Sequence, residues 1–111
     1  MPMISVKCPY DIPQSVLKEL SSIIAGTIGK PEQYVMVVAS HANIMMSGST
    51  EPAAFVAVES IGGLTPEVNR ILSEKICALL QDNLHIQACR TYITFQPFTA
   101  DSLGCDGSTF A

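Results

Sequence analysis

Apolar and polar positions alternate along this chain with two different periods, and the same succession runs twice. Residues 3–8, "MISVKC", carry a strand pattern, and residues 12–28 place Val16, Leu17, Leu20, Ile23, Ile24 and Ile28 along one helical face. "GKP" at 29–31 stops that helix, because Gly29 suits a C-terminal cap and Pro31 cannot continue the ladder. "YVMVVAS" at 34–40 is a nearly all-apolar run, which predicts a strand buried on both faces. After the turn cluster "SGSTEP" at 47–52, "AAFVAVES" at 53–60 predicts a third strand of the same kind, closed by Gly62 and Gly63. In "TPEV" the hydroxyl of Thr65 suits an N-cap, Pro66 the first helical position, and Glu67 the positive helix end. Val68, Ile71, Leu72, Ile76, Leu79, Leu80 and Leu84 then form a second helical stripe, and "TYITF" at 91–95 closes the pattern as a strand.

The succession is therefore β-α-β, a turn segment, and β-α-β again, within one domain over residues 1–111 with pseudo-repeats at about 2–48 and 49–111. The stretch "PEQYVMV" after the first helix corresponds to "QACRTYI" after the second. A strand-helix-strand crossover demands parallel pairing and a right-handed connection. Two such units side by side predict an α+β fold, a four-stranded mixed sheet with both helices on one face. The other face is left uncovered, and Val35, Val37, Phe55, Val56 and Ile93 sit in strands with little polar alternation. A bare apolar sheet face is not tolerated in water, so the pattern predicts that it meets another subunit.

Composition points the same way. Charged residues make up 14% of the chain beside 48% hydrophobic ones, against roughly 25% charged in typical domains. A net charge of -4 argues against nucleic acid and anionic membrane surfaces as partners. No segment approaches the roughly 18 consecutive apolar residues of a membrane span, and the first residues lack the order of a signal peptide, which predicts a cytoplasmic protein. Cys8, Cys77, Cys89 and Cys105 form no C-x-x-C pair, and His41 and His85 fall outside metal-ligand spacing, so free thiols and no metal site are expected.

The familiar nucleotide and hydrolase motifs are missing, and Gly62-Gly63 lacks the lysine and the length of a phosphate cradle. Pro2, Lys30, the Ile61-Gly62 turn and Tyr92 remain. Each has an ordinary reading: Pro2 as a strand start, Lys30 as a cation at a helix C-terminus, Tyr92 as an amphipathic core edge. The alternative reading of "MPM" is that loss of Met1 leaves the ring nitrogen of Pro2 as the N-terminal amine, and hence a base.

Taken in order, "MPM", "GKPEQY" at 29–34, "SGSTEP" at 47–52, "SIG" at 60–62, "NR" at 69–70, "YI" at 92–93 and "STFA" at 108–111 carry a resemblance. The chain resembles, end to end, the family of macrophage migration inhibitory factor and D-dopachrome tautomerase. That resemblance implies a homotrimer whose three sheets line a central barrel, and a pocket between neighbouring subunits. It implies keto–enol isomerisation of an aryl α-keto acid such as phenylpyruvate, without a cofactor. Pro2 would be the general base once Met1 is removed, Lys30 and the Ile61 backbone N–H would hold the substrate carboxylate, and Tyr92 would come from the neighbouring chain. Thr94 takes the place of an asparagine found in the family's cytokine members. Phe95 and Phe110, with Met3 and Leu103 nearby, would suit an aryl group or serve as ordinary interface packing.

The chain also departs from the family pattern. Leu103-Gly104-Cys105 stands near the C-terminal tryptophan of some members, and Ala53-Ala54-Phe55-Val56 stands where the cytokine has C-x-x-C. No charged pair of the kind used in chemokine-receptor mimicry is evident around Tyr10 and Ala42. A ligand-binding or receptor-binding trimer with a vestigial pocket is the alternative to a working tautomerase.

Overall fold

The computed structural model describes residues 1–111. Strand β1 (Pro2–Cys8) leads to helix α1 (Gln14–Ile28), then β2 (Met36–His41) and β3 (Ala54–Ser60). Helix α2 (Pro66–Leu84), strand β4 (Thr91–Pro97) and a short hairpin, β5 (Gly104–Cys105) and β6 (Ser108–Thr109), complete the chain. The sheet order is β2-β1-β3-β4, with β1 parallel to β2, antiparallel to β3, and β3 parallel to β4. This is the mixed four-stranded sheet that two β-α-β units predict.

The element boundaries shift where backbone chemistry intervenes. Helix α1 begins at Gln14 rather than residue 12, because Pro13 is extended at φ −63° and ψ 151° and acts as the N-cap. The strand expected from residue 34 begins at Met36, because Glu32–Tyr34 coil into a 3-10 turn behind Pro31. Both predicted caps form: Gly29 takes the left-handed conformation at φ 82°, and Thr65 accepts a hydrogen bond from the Val68 N–H at 3.1 Å. The β5–β6 hairpin carries no periodic apolar signal, and it turns on Asp106-Gly107, both at positive φ.

One core holds the layers together. Ile4, Val6, Val56 and Val58 from the sheet meet Leu20 and Ile24 of α1 and Leu72, Ile76 and Leu80 of α2, all fully buried. The pairing register sorts the remaining strand residues by face, since alternate side chains point to opposite sides. Val37 pairs with Ile4, and Ile93 with Val56, so Val37, Val56 and Ile93 face the helices. Val35 precedes β2 and also packs against the core. Of the five residues expected to make the open face apolar, only Phe55 lies on it. That face instead carries Met36 and Val38 from β2 beside Phe55 and Tyr92, all exposed, interspersed with Ser5, Lys7, Glu59, Thr94 and Gln96. β2 and β3 are apolar on both sides, with Met36 and Val38, and Phe55 and Ala57, on the open one.

No helix is long and apolar enough to cross a membrane. All four cysteines are free thiols, and burial raises the pKa values of Cys8 and Cys77, so both are poor nucleophiles.

Candidate active site

Pro2 is the first residue of β1 and is fully buried, its ring on the helix-facing side of the sheet. It pairs with Ser60 at the end of β3, so the following amide, that of Ile61, lies at the same end of the sheet. The backbone turns sharply there. The Ser60 hydroxyl donates to the Gly62 carbonyl at 2.7 Å, and the Ser60 carbonyl accepts from the Phe98 N–H at 2.8 Å. The Ile61 N–H donates to no group in the chain, which leaves a fixed donor beside the start of β1.

Lys30 reaches the same place from the opposite direction. Helix α1 has closed at Gly29, and the Lys30 side chain crosses over the Gly62-Gly63 turn instead of lying along the helix end. A methyl group added at Gly62 would stand 3.9 Å from Lys30 Nζ, and one at Gly63 would stand 3.8 Å from Lys30 Cε. Both glycines have positive φ, at 74° and 82°, and at Gly63 a Cβ would approach Ile28 Cγ2 to 2.6 Å. A methyl group at either position would thus meet Lys30 only at ordinary contact distance, so the glycines answer the positive φ and, at Gly63, the approach of Ile28. No carboxylate pairs with Lys30, so its charge is available to an anion.

Met1 joins this cluster to an apolar cavity of about 340 Å³, which is lined by Met1, Met3, Tyr34, Met36, Leu103 and Phe110 among others. The β5–β6 hairpin carries Leu103 and Phe110 there, and the Phe110 N–H donates to the carbonyls of Ala100 and Leu103 at 3.1 and 3.2 Å. The N-terminal amine, on Met1 in this form, is held below its usual pKa of 8.0 by burial first and by the Lys30 charge second. A nitrogen of lowered basicity, a free cation and a free N–H thus gather at one end of the sheet, and of these only Met1 also lines the mostly apolar cavity; Pro2, Lys30 and Ile61 lie outside its lining. The arrangement can hold a carboxylate and pass a proton beside it.

Other residues singled out from the sequence lie elsewhere. Tyr92 is 67% exposed and pairs with Phe55, five positions along the sheet from the row of Pro2, Ser60 and Pro97. Thr94 shares the open face with it, three positions from that row. Phe95 does not line the cavity: it pairs with Val58, faces the helices and packs against the core. Alternation along β4 explains this, because Tyr92 and Thr94 occupy one face and Phe95 the other.

Two contributions have no counterpart in the sequence pattern. Tyr34 and Met36 line the cavity, and their one sequence sign is a place three and five residues after Pro31, where the chain leaves Lys30. Arg90 is buried and donates to four backbone carbonyls, a role that no periodicity could reveal.

The duplicated β-α-β sheet, with a buried proline at its first strand and a lysine over the turn at the same end, defines a small α+β protein with a free cation and a free N–H at one end of its sheet. The family model described as macrophage migration inhibitory factor (MIF) matches residues 1–111, and the chain belongs to that family. It is 39% identical over 101 residues to macrophage migration inhibitory factor of Rattus norvegicus, covering 90% of this chain and 88% of that protein. It is 39% identical over 100 residues to the homolog from Brugia malayi, covering 89% of this chain and 87% of the other. The crystal structure of the homologue from Prochlorococcus marinus superposes with a TM-score of 0.93 at 38% identity, covering 98% of this chain and 99% of that one.

Proposed function

We propose that this protein is a tautomerase that interconverts the enol and keto forms of an aryl α-keto acid such as phenylpyruvate, with Pro2 as general base after removal of Met1. The observation that carries this reading is the convergence of Pro2, the Ile61 N–H and Lys30 at one end of the sheet, joined through Met1 to a mostly apolar cavity. Burial and the Lys30 charge hold the amine at Met1 below its ordinary pKa. With Met1 gone, the same two influences act on the secondary amine of Pro2, which is intrinsically somewhat more basic, and favour its neutral form near pH 7.

Lys30 and the Ile61 N–H hold the substrate carboxylate. Pro2 takes the proton from the enol hydroxyl and returns it to the adjacent carbon, so that one C–H bond forms as one O–H bond breaks and the molecule is isomerised without a redox partner. Met3, Leu103 and Phe110 receive the aryl ring. Tyr92 and Thr94, remote from Pro2 in their own chain, approach the pocket of a neighbouring copy in a homotrimer. That assembly also covers Met36, Val38 and Phe55 on the open sheet face.

Ketonisation of phenylpyruvate, followed on protein whose intact mass shows Pro2 at the N-terminus, tests the reading. Turnover that saturates with substrate is expected. A processed trimer that binds phenylpyruvate without accelerating its ketonisation would instead be a binding module.

A further inference from the structure

Arg90 is 9% exposed and has no carboxylate within ion-pair distance. Its guanidinium donates instead to the carbonyls of Pro52 (3.1 Å, Nε), Met46 (3.2 Å, Nη1), and Ser49 and Glu51 (3.1 and 3.0 Å, both Nη2). Burying a cation among neutral acceptors is costly, and an apolar side chain would fill the space at lower cost. What distinguishes arginine here is its rigid fork of donors, which reaches several carbonyls of one loop at once.

That fork ties the 46–52 segment to the residue just before β4. The Arg90 N–H and the Thr91 hydroxyl, both donating to the Gln87 carbonyl at 2.9 and 3.1 Å, fix the same stretch from the other side. Tyr92 comes next. It lies on an edge strand with its ring largely exposed and its hydroxyl unbonded within the chain, so its placement comes from its backbone, held by the pairing with Phe55 on β3 and by the stretch that leads into it.

We infer that Arg90 is a positioning residue, whose fork onto the 46–52 loop sets Tyr92 at the height where it enters the pocket of a neighbouring subunit. This rests on the reading of Tyr92 given above. Arg90→Lys keeps the charge and abolishes the fork, because one ammonium cannot span the four carbonyls.

The test uses processed, full-length protein and phenylpyruvate. Loss of one substrate hydrogen bond corresponds to a rise in KM of up to about tenfold, and Arg90→Lys is expected to approach that. The kcat, the rising limb of the pH profile and the sedimentation coefficient should stay as they are, and Arg90→Lys should add no further KM change on a Tyr92→Phe background. An unchanged KM, an additive effect on that background, a moved pH limb or a dissociated trimer would overturn the inference. If Tyr92→Phe alone leaves KM unaltered, the role of Tyr92 falls and that of Arg90 with it, while Pro2 as base still stands. Should Arg90→Lys fail to fold, Thr91→Val removes the bond to Gln87 from a buried, isosteric side chain. A smaller KM rise that vanishes with Tyr92→Phe supports the inference, and an additive one, or none, contradicts it.

Discussion

Pro2 and Tyr92 sit near opposite ends of one sheet. Pro2 shares a row with Ser60 and Pro97, whereas Tyr92 pairs with Phe55, five residues away. At about 3.3 Å per residue the two rows stand roughly 17 Å apart, too far for both residues to touch one small substrate. If both serve one site, they come from different copies of the chain.

Mixing therefore provides a test. Pro2→Ala and Tyr92→Ala variants, each impaired alone, should regain activity when unfolded together and refolded, because mixed trimers pair an intact Pro2 with an intact Tyr92 from a neighbour. Sedimentation of each parent should give a trimer. Activity no higher than the sum of the parents, or a stable monomer at micromolar concentration, would contradict the shared site.

For Lys30, two effects should move together. Lys30→Ala should weaken binding of an α-keto acid by about 1.5–3 kcal/mol, the scale of a hydrogen bond to a charged group. In the proposed reaction the neutral amine of Pro2 is the active form, and the Lys30 cation, which with burial lowers the pKa of the Met1 amine, acts on it in the same sense. Removing the cation raises that pKa, so the rising limb of kcat/KM against pH should shift to higher pH. An unaltered limb together with an unaltered KM would leave Lys30 as no more than a charge near the end of α1.

The glycines beneath Lys30 should be unequal to others in the chain. Gly63→Ala places a Cβ at φ 82° and 2.6 Å from Ile28 Cγ2, so it should lower stability by at least about 1–2 kcal/mol and raise KM by shifting the turn that carries the Ile61 N–H. Gly26→Ala, inside α1 with nothing within 4 Å, should stabilise by about 0.5–1 kcal/mol and leave KM alone. Denaturant midpoints and KM values for the two variants check the contrast, and equal effects would contradict it.

The repeat of strand and helix patterns made the layered fold readable, because a period of two and a period of 3.6 are written into single residues. The caps at Gly29 and Thr65 were equally local. The open face was harder: "YVMVVAS" looks apolar on both sides, but which side meets the helices depends on register, which placed Val37 inward and Met36 outward. Phe95, read as an aryl wall or as interface packing, instead faces the helices, because alternation along β4 sets it opposite Tyr92 and Thr94. Lys30 illustrates another limit. Its distance from Ile61 along the chain says nothing about a side chain that crosses the Gly62-Gly63 turn. Arg90 offered no signal at all, since its partners are carbonyls and carbonyls have no sequence.

Retention or loss of Met1 tests the central claim most directly. With Met1 in place, the Pro2 nitrogen is a tertiary amide whose lone pair is delocalised and accepts no proton near neutral pH. Met1 also forms part of the cavity wall. The Met1-retaining protein should fold and assemble like the cleaved form. Its initial rate with phenylpyruvate should be at least about a hundredfold lower, given the 10²–10⁴-fold that general-base catalysis supplies. The measurement is the initial rate of both forms, each with its N-terminus verified by intact mass. A gap of that size is the predicted result. Equal rates would contradict Pro2 as the base and return the opening proline to a strand start.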